Sequence, residues 1–306
     1  MLRNPTRPDW QIGFGLSLFT ALLFALLPIA LKGLLGGMDP ITITWYRFFF
    51  ATLFLLGVIA GRRGFPSWQT MRQAGLGLLL LASVSLCGNY LLYLLALDHL
   101  TPGSAQVLIQ IAPVLLLVGS LVFYHERFSP LQWGGLGLVM VGMGLFFHNR
   151  LNDIFGNFGD YSLGVLIMLG AAVVWAIYGL AQKKLLGTLS AQTIIVCIYG
   201  TGAVLFLPLA KPAQISLLTG AQWIFLFFSV AATSVSYVAF AEAMKRWQSS
   251  RVSAVLAVVP ILTITFVTIG AVLAPALIQP ESLTGLSLGG AVLVVMGSVV
   301  SSLAQD

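Results

Sequence analysis

The most restrictive feature of this chain is a succession of apolar runs, each about 20 residues long, separated by short proline- and glycine-rich punctuation. Ten runs are present: 11–35, 41–60, 74–97, 104–124, 130–148, 162–182, 191–210, 220–242, 251–274 and 285–303. They break at Gly36-Gly37-Met38-Asp39-Pro40, Gly64-Phe65-Pro66, Thr101-Pro102-Gly103, Ser129-Pro130, Lys211-Pro212 and Gln279-Pro280, all turn formers. A helix needs about 20 residues to cross the hydrocarbon core of a bilayer. The runs are continuous and do not alternate polar with apolar, so the spacing predicts helices and not barrel strands. Only 8% of the 306 residues are charged and 58% are hydrophobic. A soluble domain carries roughly 25% charged residues, so lipid must be the solvent for most of this surface. The expected fold class is an all-α membrane protein of ten transmembrane helices. The apolar run Trp10–Leu35 is too long for a signal peptide, and no small-x-small cleavage site follows it.

The net charge of +6 would suggest nucleic acid in a soluble protein. Here the basic residues lie between apolar runs and serve to orient the chain. With the N-terminus in the cytoplasm, eleven basic residues fall inside: Arg3, Arg7, Arg62, Arg63, Arg72, Arg127, Lys183, Lys184, Lys245, Arg246 and Arg251. Three fall outside (Lys32, Arg150 and Lys211), and Arg47 lies within a span. That bias predicts an inner (plasma) membrane protein with both termini cytoplasmic. Cys87 and Cys197 each sit inside an apolar run, with neither metal spacing nor a disulfide framework, and are expected to pack. Trp10, Trp68, Trp133 and Trp223 fall at span ends, where an aromatic belt forms.

The chain also repeats itself. Residues 32–36 read Lys-Gly-Leu-Leu-Gly and residues 183–187 read Lys-Lys-Leu-Leu-Gly, an offset of 151 at the ends of spans 1 and 6. Pro113 and Pro260 differ by 147, as do Ala96 and Ala243. Gly134-Gly135 and Gly289-Gly290 open spans 5 and 10. Five spans per half is an odd number, so the second half enters the membrane from the opposite side. The expected organisation is therefore two inverted five-helix repeats, 1–150 and 151–306, forming one membrane domain. Inverted repeats are an architecture of secondary transporters.

Several local patterns have a recognisable counterpart. They are Tyr46-Arg47-Phe48-Phe49-Phe50-Ala51-Thr52-Leu53, Tyr93-Leu94-Leu95-Ala96-Leu97 leading to Thr101-Pro102, Ala112-Pro113-Val114, and His125-Glu126-Arg127-Phe128 before a glycine-rich helix. Together they resemble the drug/metabolite transporter superfamily, EamA type, over nearly the whole chain. The resemblance implies a five-plus-five inverted fold and export or facilitated exchange of small metabolites, often amino acids and sometimes drugs. The second half departs from the pattern. Ile198 stands where the first half has Arg47, and Glu281 lacks the arginine that follows Glu126.

A carrier needs polar or aromatic groups near the midplane, where they are expensive to place in lipid. Asn89 and Tyr93 share one face of span 3, and Gln106 and Gln110 share one face of span 4. Each pair either lines a cavity or bonds neighbouring helices. Trp175, Tyr178 and Gln182 form a stripe on span 6, with Phe24 as the equivalent of Trp175 in span 1; Tyr237 is a further candidate. Arg47, roughly 9–10 Å into span 2, has three readings: it snorkels to the outer headgroups, holds a carbonyl or Asp98, or attracts a carboxylate substrate. Pro113 and Pro260 kink their helices and are candidate gates. The glycines Gly135, Gly137, Gly142 and Gly144, and Gly285, Gly289, Gly290 and Gly297, are expected to allow close helix packing.

No P-loop is present, and the acidic or imidazole groups Asp98, His99, Glu126 and Glu242 sit at span ends. The expectation is a facilitator or a loosely proton-coupled exchanger, with a small-molecule substrate and the bilayer as partners and no cofactor or metal. An intramembrane enzyme would need a catalytic constellation at depth. The chain has no His-Glu-x-x-His, no paired midspan carboxylates and no Gly-x-Ser-x-Gly. A channel or a non-transporting scaffold stands as the alternative. Substrate identity, direction of transport and oligomeric state are left open.

Overall fold

A computed structural model of the protein describes residues 7–61, 67–125, 128–156 and 158–303. Arg3, Arg62, Arg63, Gly64, Phe65, Pro66, Glu126 and Arg127 lie outside these residues. Among the described residues there is no strand. The first half contains α1 (Arg7–Leu35), α2 (Pro40–Gly61), the short α3 (Trp68–Ala74), α4 (Leu76–His99), α5 (Pro102–Leu108), α6 (Ile111–Tyr124) and α7 (Pro130–Phe146). The second contains α8 (Asp160–Leu185), α9 (Ala191–Phe206), α10 (Gly220–Arg246), α11 (Ser249–Leu256), α12 (Val259–Leu273) and α13 (Gly285–Leu303).

The punctuation residues act as caps. The hydroxyls of Thr101, Ser129, Ser190 and Thr219 accept from backbone N–H groups at the starts of α5, α7, α9 and α10. Ser129 with Gln132 and Thr219 with Gln222 form complete capping boxes. Spans 4 and 9 are each interrupted, after Leu108 and after Leu256, one turn before Pro113 and Pro260. A proline frees the carbonyl four residues earlier and breaks the hydrogen-bond ladder there. Pro260 sits in the first turn of α12, where the missing N–H costs nothing.

Among the described residues, eight helical stretches are long and apolar enough to cross a membrane. A ninth is reached if α7 is joined to the turns of His148–Gly156, which bend away by 52°. The tenth expected span, α9, has 16 residues. It is about 24 Å long against a hydrocarbon core of roughly 30 Å, because its last four expected residues form a turn instead of helix. The chain is a multi-pass membrane protein. Outward-facing Leu80, Phe123, Val204, Ile224 and Val272 are exposed, as a lipid-facing surface requires. Trp10, Trp68 and Trp133 are exposed, while Trp223 is half-buried. Cys87 is buried and Cys197 half-buried, both as free thiols.

The helices pair across the two halves. α1 packs on α10 and α4 on α8; α2 packs on α9 and α7 on α13. The α7–α13 contact is backbone against backbone. A side chain on Gly142 would lie 2.6 Å from the Val294 nitrogen, and one on Gly297 would lie 2.5 Å from the Gly135 carbonyl oxygen. Gly135 and Gly290 are equally filled by the opposite helix. By contrast Gly137, Gly144, Gly285 and Gly289 face open space, so only half of the expected glycines serve the packing. The main core runs between the halves through Phe48, Leu86, Leu94, Met168, Ile198 and Tyr199, all fully buried.

Candidate functional site

Arg47 lies on the second turn and beyond of α2, on the face that packs against α9 and α10. The side chain is 3% exposed, so it does not snorkel to a headgroup layer. It does not reach Asp98 either. Its Nε–H donates to the Thr233 hydroxyl of α10 at 2.9 Å, and its guanidinium carbon sits 4.7 Å from the centre of the Tyr90 ring. Thr233 passes its own proton to the Ser229 carbonyl at 2.7 Å, which leaves its oxygen lone pairs free for Arg47.

Four tyrosines from three further helices lie within electrostatic reach of the guanidinium: Tyr90 and Tyr93 on α4, Tyr199 on α9 and Tyr237 on α10. The Tyr90 and Tyr199 hydroxyls are 3.0 Å apart. Tyr237 also interacts electrostatically with Tyr90 and with Tyr178 on α8. Phe48 stacks on Tyr199 with ring centres 5.2 Å apart, and the Tyr199 and Tyr237 rings meet edge to face at 6.0 Å. The result is an aromatic cage around one cation, drawn from both halves of the chain. Tyr90, Tyr93 and Tyr237 are half-buried.

Two features of this cage are unsatisfied. No carboxylate among the described residues pairs with Arg47. A guanidinium has five N–H donors, and Thr233 takes only the one on Nε. The Tyr93 hydroxyl is buried and has no hydrogen-bond partner. An unpaired charge and an orphan hydroxyl are costly in a low-dielectric interior. They suit a ligand that brings a negative charge and a hydrogen-bond acceptor or donor with it.

Other expected residues are placed elsewhere. The Asn89 amide donates to the Ala171 carbonyl at 2.9 Å and ties α4 to α8. The Gln106 amide donates to the Phe24 carbonyl at 3.1 Å and ties α5 to α1. Both act as links between helices. Gln110 is half-buried at the break between α5 and α6. Phe24 packs on the small cluster of Ala21, Ala25 and Val259, apart from the main core. Trp175 is half-buried against the main core, one turn from Tyr178. Pro113 is exposed and Pro260 buried.

Tyr90, Tyr199 and Thr233 were not among the expected residues. The signal for Tyr90 was available: the offset of 147 that relates Asn89 to Ser236 also relates Tyr90 to Tyr237. Likewise the offset of 151 relates Phe48 to Tyr199. Tyr90 adjoins Asn89 in sequence and so falls outside the helix face that Asn89 shares with Tyr93.

Of the candidate proton groups, Glu126 lies outside the described residues, and Asp98, His99 and Glu242 are not among the groups around Arg47. His99 pairs with Asp160 at 2.6 Å, and Lys32 donates to the carbonyls of Leu97 and Asp98 at 2.7 Å. Glu242 pairs with Arg246 at 2.9 Å and with Lys245 at 3.4 Å. A different carboxylate is buried. Glu281, in the segment between α12 and α13, accepts from the Gly103 N–H at 2.7 Å, and its other oxygen has no partner. Burial pushes the Glu281 carboxyl above the usual range, against the opposing pull of the Gly103 hydrogen bond. It borders a cavity of about 30 Å³ with Thr101, Ser104, Arg150 and Tyr161, room for a single water. No cluster of metal-binding side chains occurs among the described residues.

Comparison with known proteins places this geometry. The model of the EamA-like transporter family matches the chain twice, over residues 11–148 and 162–303. An uncharacterized transporter of Haemophilus influenzae is 35% identical over 292 residues, covering 95% of both chains. The uncharacterized inner membrane transporter YhbE of Escherichia coli is 36% identical over 293 residues, covering 95% of this chain and 91% of its own. A probable terminal-alkyne amino-acid exporter of Streptantibioticus cattleyicolor is 27% identical over 183 residues, 58% of this chain and 59% of its own. A crystal structure of a protein 20% identical superposes with a TM-score of 0.64 over 97% of both chains, which shows the shared fold. The chain belongs to the EamA-like transporter family.

Proposed function

We propose that this EamA-family member is a secondary carrier that exports or exchanges small organic metabolites bearing a carboxylate, amino acids among them, by alternating access. The observation that carries the reading is the buried Arg47 guanidinium, which has an aromatic cage but no carboxylate partner. A substrate carboxylate would supply the missing counter-charge through a bidentate contact. Tyr93 would hydrogen-bond the same substrate with its free hydroxyl, and the rings of Tyr90 and Tyr237 would shield the pair from water. An amino-acid exporter among the relatives is consistent with this substrate class.

Alternating access would come from two five-helix halves in opposite orientation, with both termini cytoplasmic. The double family match supports this. So does the pairing of glycines, in which Gly135 meets Gly297 and Gly142 meets Gly290. Shifting each partner by 155 residues converts one contact into the other, as a two-fold axis in the membrane plane would. Substrates would then reach the cage from either face as the halves rock. The breaks before Pro113 and Pro260 would serve as hinges.

The test is counterflow of labelled amino acids into proteoliposomes. Saturable exchange whose KM rises at least 30-fold in R47Q is expected. Flux that never saturates would replace the carrier with a channel, and no flux with any carboxylate, amine or nucleoside would leave a scaffold. For orientation, cysteine labels in the 149–160 segment should react from outside the cell and labels at 183–190 should not.

A further inference from the structure

A second polar site lies far from the cage, in a lateral cleft of about 410 Å³ between α1, α11, α12 and α13. Phe14 and Leu18 of α1 form one wall, Val255 and Leu262 the back, and Val299 and Leu303 of α13 the other wall. The cleft is apolar except at one end, where Trp247 and Arg251 stand. That end is fixed by the termini of four elements. α1 and α11 begin there, and α10 and α13 end there.

Two groups at that end are without partners. The Trp247 Nε1–H is buried and meets no acceptor. The ring itself is pinned edge to face on Phe14 at 5.8 Å, and its Cβ fills the place a side chain on Gly13 would take. The indole cannot turn to find a partner without unpacking α1. Arg251 is exposed, and no carboxylate pairs with it among the side chains the structure describes, which do not include those of Asp9 and Asp306. The nearby acid, Glu242, is already held by Arg246 and Lys245.

We infer that this cleft binds one anionic phospholipid, with its phosphate on the Trp247 Nε1–H and the Arg251 guanidinium and an acyl chain along Leu18, Val255 and Leu262. The dimensions agree. From Arg251 to Leu262 is 11 residues, about 16 Å of helix. That is roughly half of a 30 Å hydrocarbon core, the depth of a single leaflet. The charge agrees too, since a basic pocket between transmembrane helices attracts an anionic headgroup. A neutral zwitterion would leave Arg251 uncompensated, and a soluble anion would leave the cleft unfilled. The lipid would join the two halves, because α1 belongs to the first and α11–α13 to the second. This inference is independent of the carrier reading, which rests on the residues around Arg47.

The experiment compares the purified full chain in detergent with added phosphatidylglycerol, phosphatidylcholine or inorganic phosphate. Thermal unfolding and native mass spectrometry are the two readouts. Phosphatidylglycerol alone should raise the unfolding temperature and persist as a one-to-one adduct. R251Q and W247F should each weaken its binding at least tenfold, and A254F, which fills the cleft, should abolish it. Equal retention of phosphatidylcholine overturns the proposal, as does unchanged phosphatidylglycerol binding by R251Q and W247F. A stabilising effect of phosphate alone would reassign the end of the cleft to a soluble anion. If a variant fails to fold, the contrast between the two lipids on the unaltered protein still decides.

Discussion

α2 and α9 occupy corresponding places in the two halves and pack on each other, yet they carry different chemistry. α2 runs 22 residues and buries Arg47; α9 runs 16 and has Ile198 and Tyr199 at the matching turn. The arginine is held by α10 and caged by rings from α4, α9 and α10, so the second half supplies most of its surroundings. α7 and α13 behave in the opposite way. Their glycines face one another in mirrored register, and neither helix contributes a polar group to the cage. The two helix pairs thus contrast: backbone meets backbone between α7 and α13, while side chains of unlike chemistry meet between α2 and α9.

The comparison can be broken most forcefully at the glycines. Leucine at Gly142 or at Gly290 should abolish monodisperse protein on size-exclusion chromatography, since backbone blocks relief and overpacking alone costs roughly 1–3 kcal/mol. Leucine at Gly144, which faces open space, should elute as wild type. Equal behaviour of the three variants would sink the view that the two helices are locked backbone to backbone. The next effect concerns the cation. R47Q should raise the KM for exchange at least 30-fold, within the roughly 2–5 kcal/mol expected when one member of a buried charged pair is truncated. The double variant R47Q/I198R, which moves the charge to the other half, should not recover exchange; recovery would mean that the halves are chemically interchangeable.

A finer distinction separates the cage hydroxyls. Y90F removes a partner of Tyr199 and should lower stability by about 1 kcal/mol. Y93F removes a hydroxyl that has no partner, so the unfolding temperature should hold or rise while KM increases severalfold. The smallest effect is at Glu281. Its carboxyl titrates above the unfolded value, so stability is fully present at low pH and declines as pH rises through the folded pKa. E281Q retains an acceptor for the Gly103 N–H and should flatten the difference in unfolding temperature between pH 5 and pH 7.5. An unchanged pH slope would mean that the carboxyl is not the group responsible.

Helix boundaries were legible because Ser129, Thr219, Pro102 and the glycine turns act locally, through caps and missing donors, whatever the tertiary packing. α9 was overestimated because hydropathy does not register the turn that begins at Leu207. The cage was only partly legible. Arg47, Tyr93, Tyr178 and Tyr237 stand out as polar or aromatic groups at depth, and the fold gathers them. Asn89 and Gln106 stand out equally, but an amide satisfies itself on any nearby carbonyl, and here those carbonyls belong to Ala171 and Phe24. Tyr199 and Thr233 were missed because their roles depend on how α9 and α10 are rotated against α2. That rotation is set by packing, and no single helix carries a record of it.

The glycine contact has a consequence in time. Gly142 and Gly290 are 148 residues apart. At about 5–20 residues per second, α7 waits from about 7 to about 30 seconds after synthesis before α13 exists to cover it. For that interval a helix face of bare backbone stands open to lipid and to insertion machinery. α13 therefore closes this seam, and a nascent chain stopped short of residue 285 would present quality control with an unfilled groove running down α7.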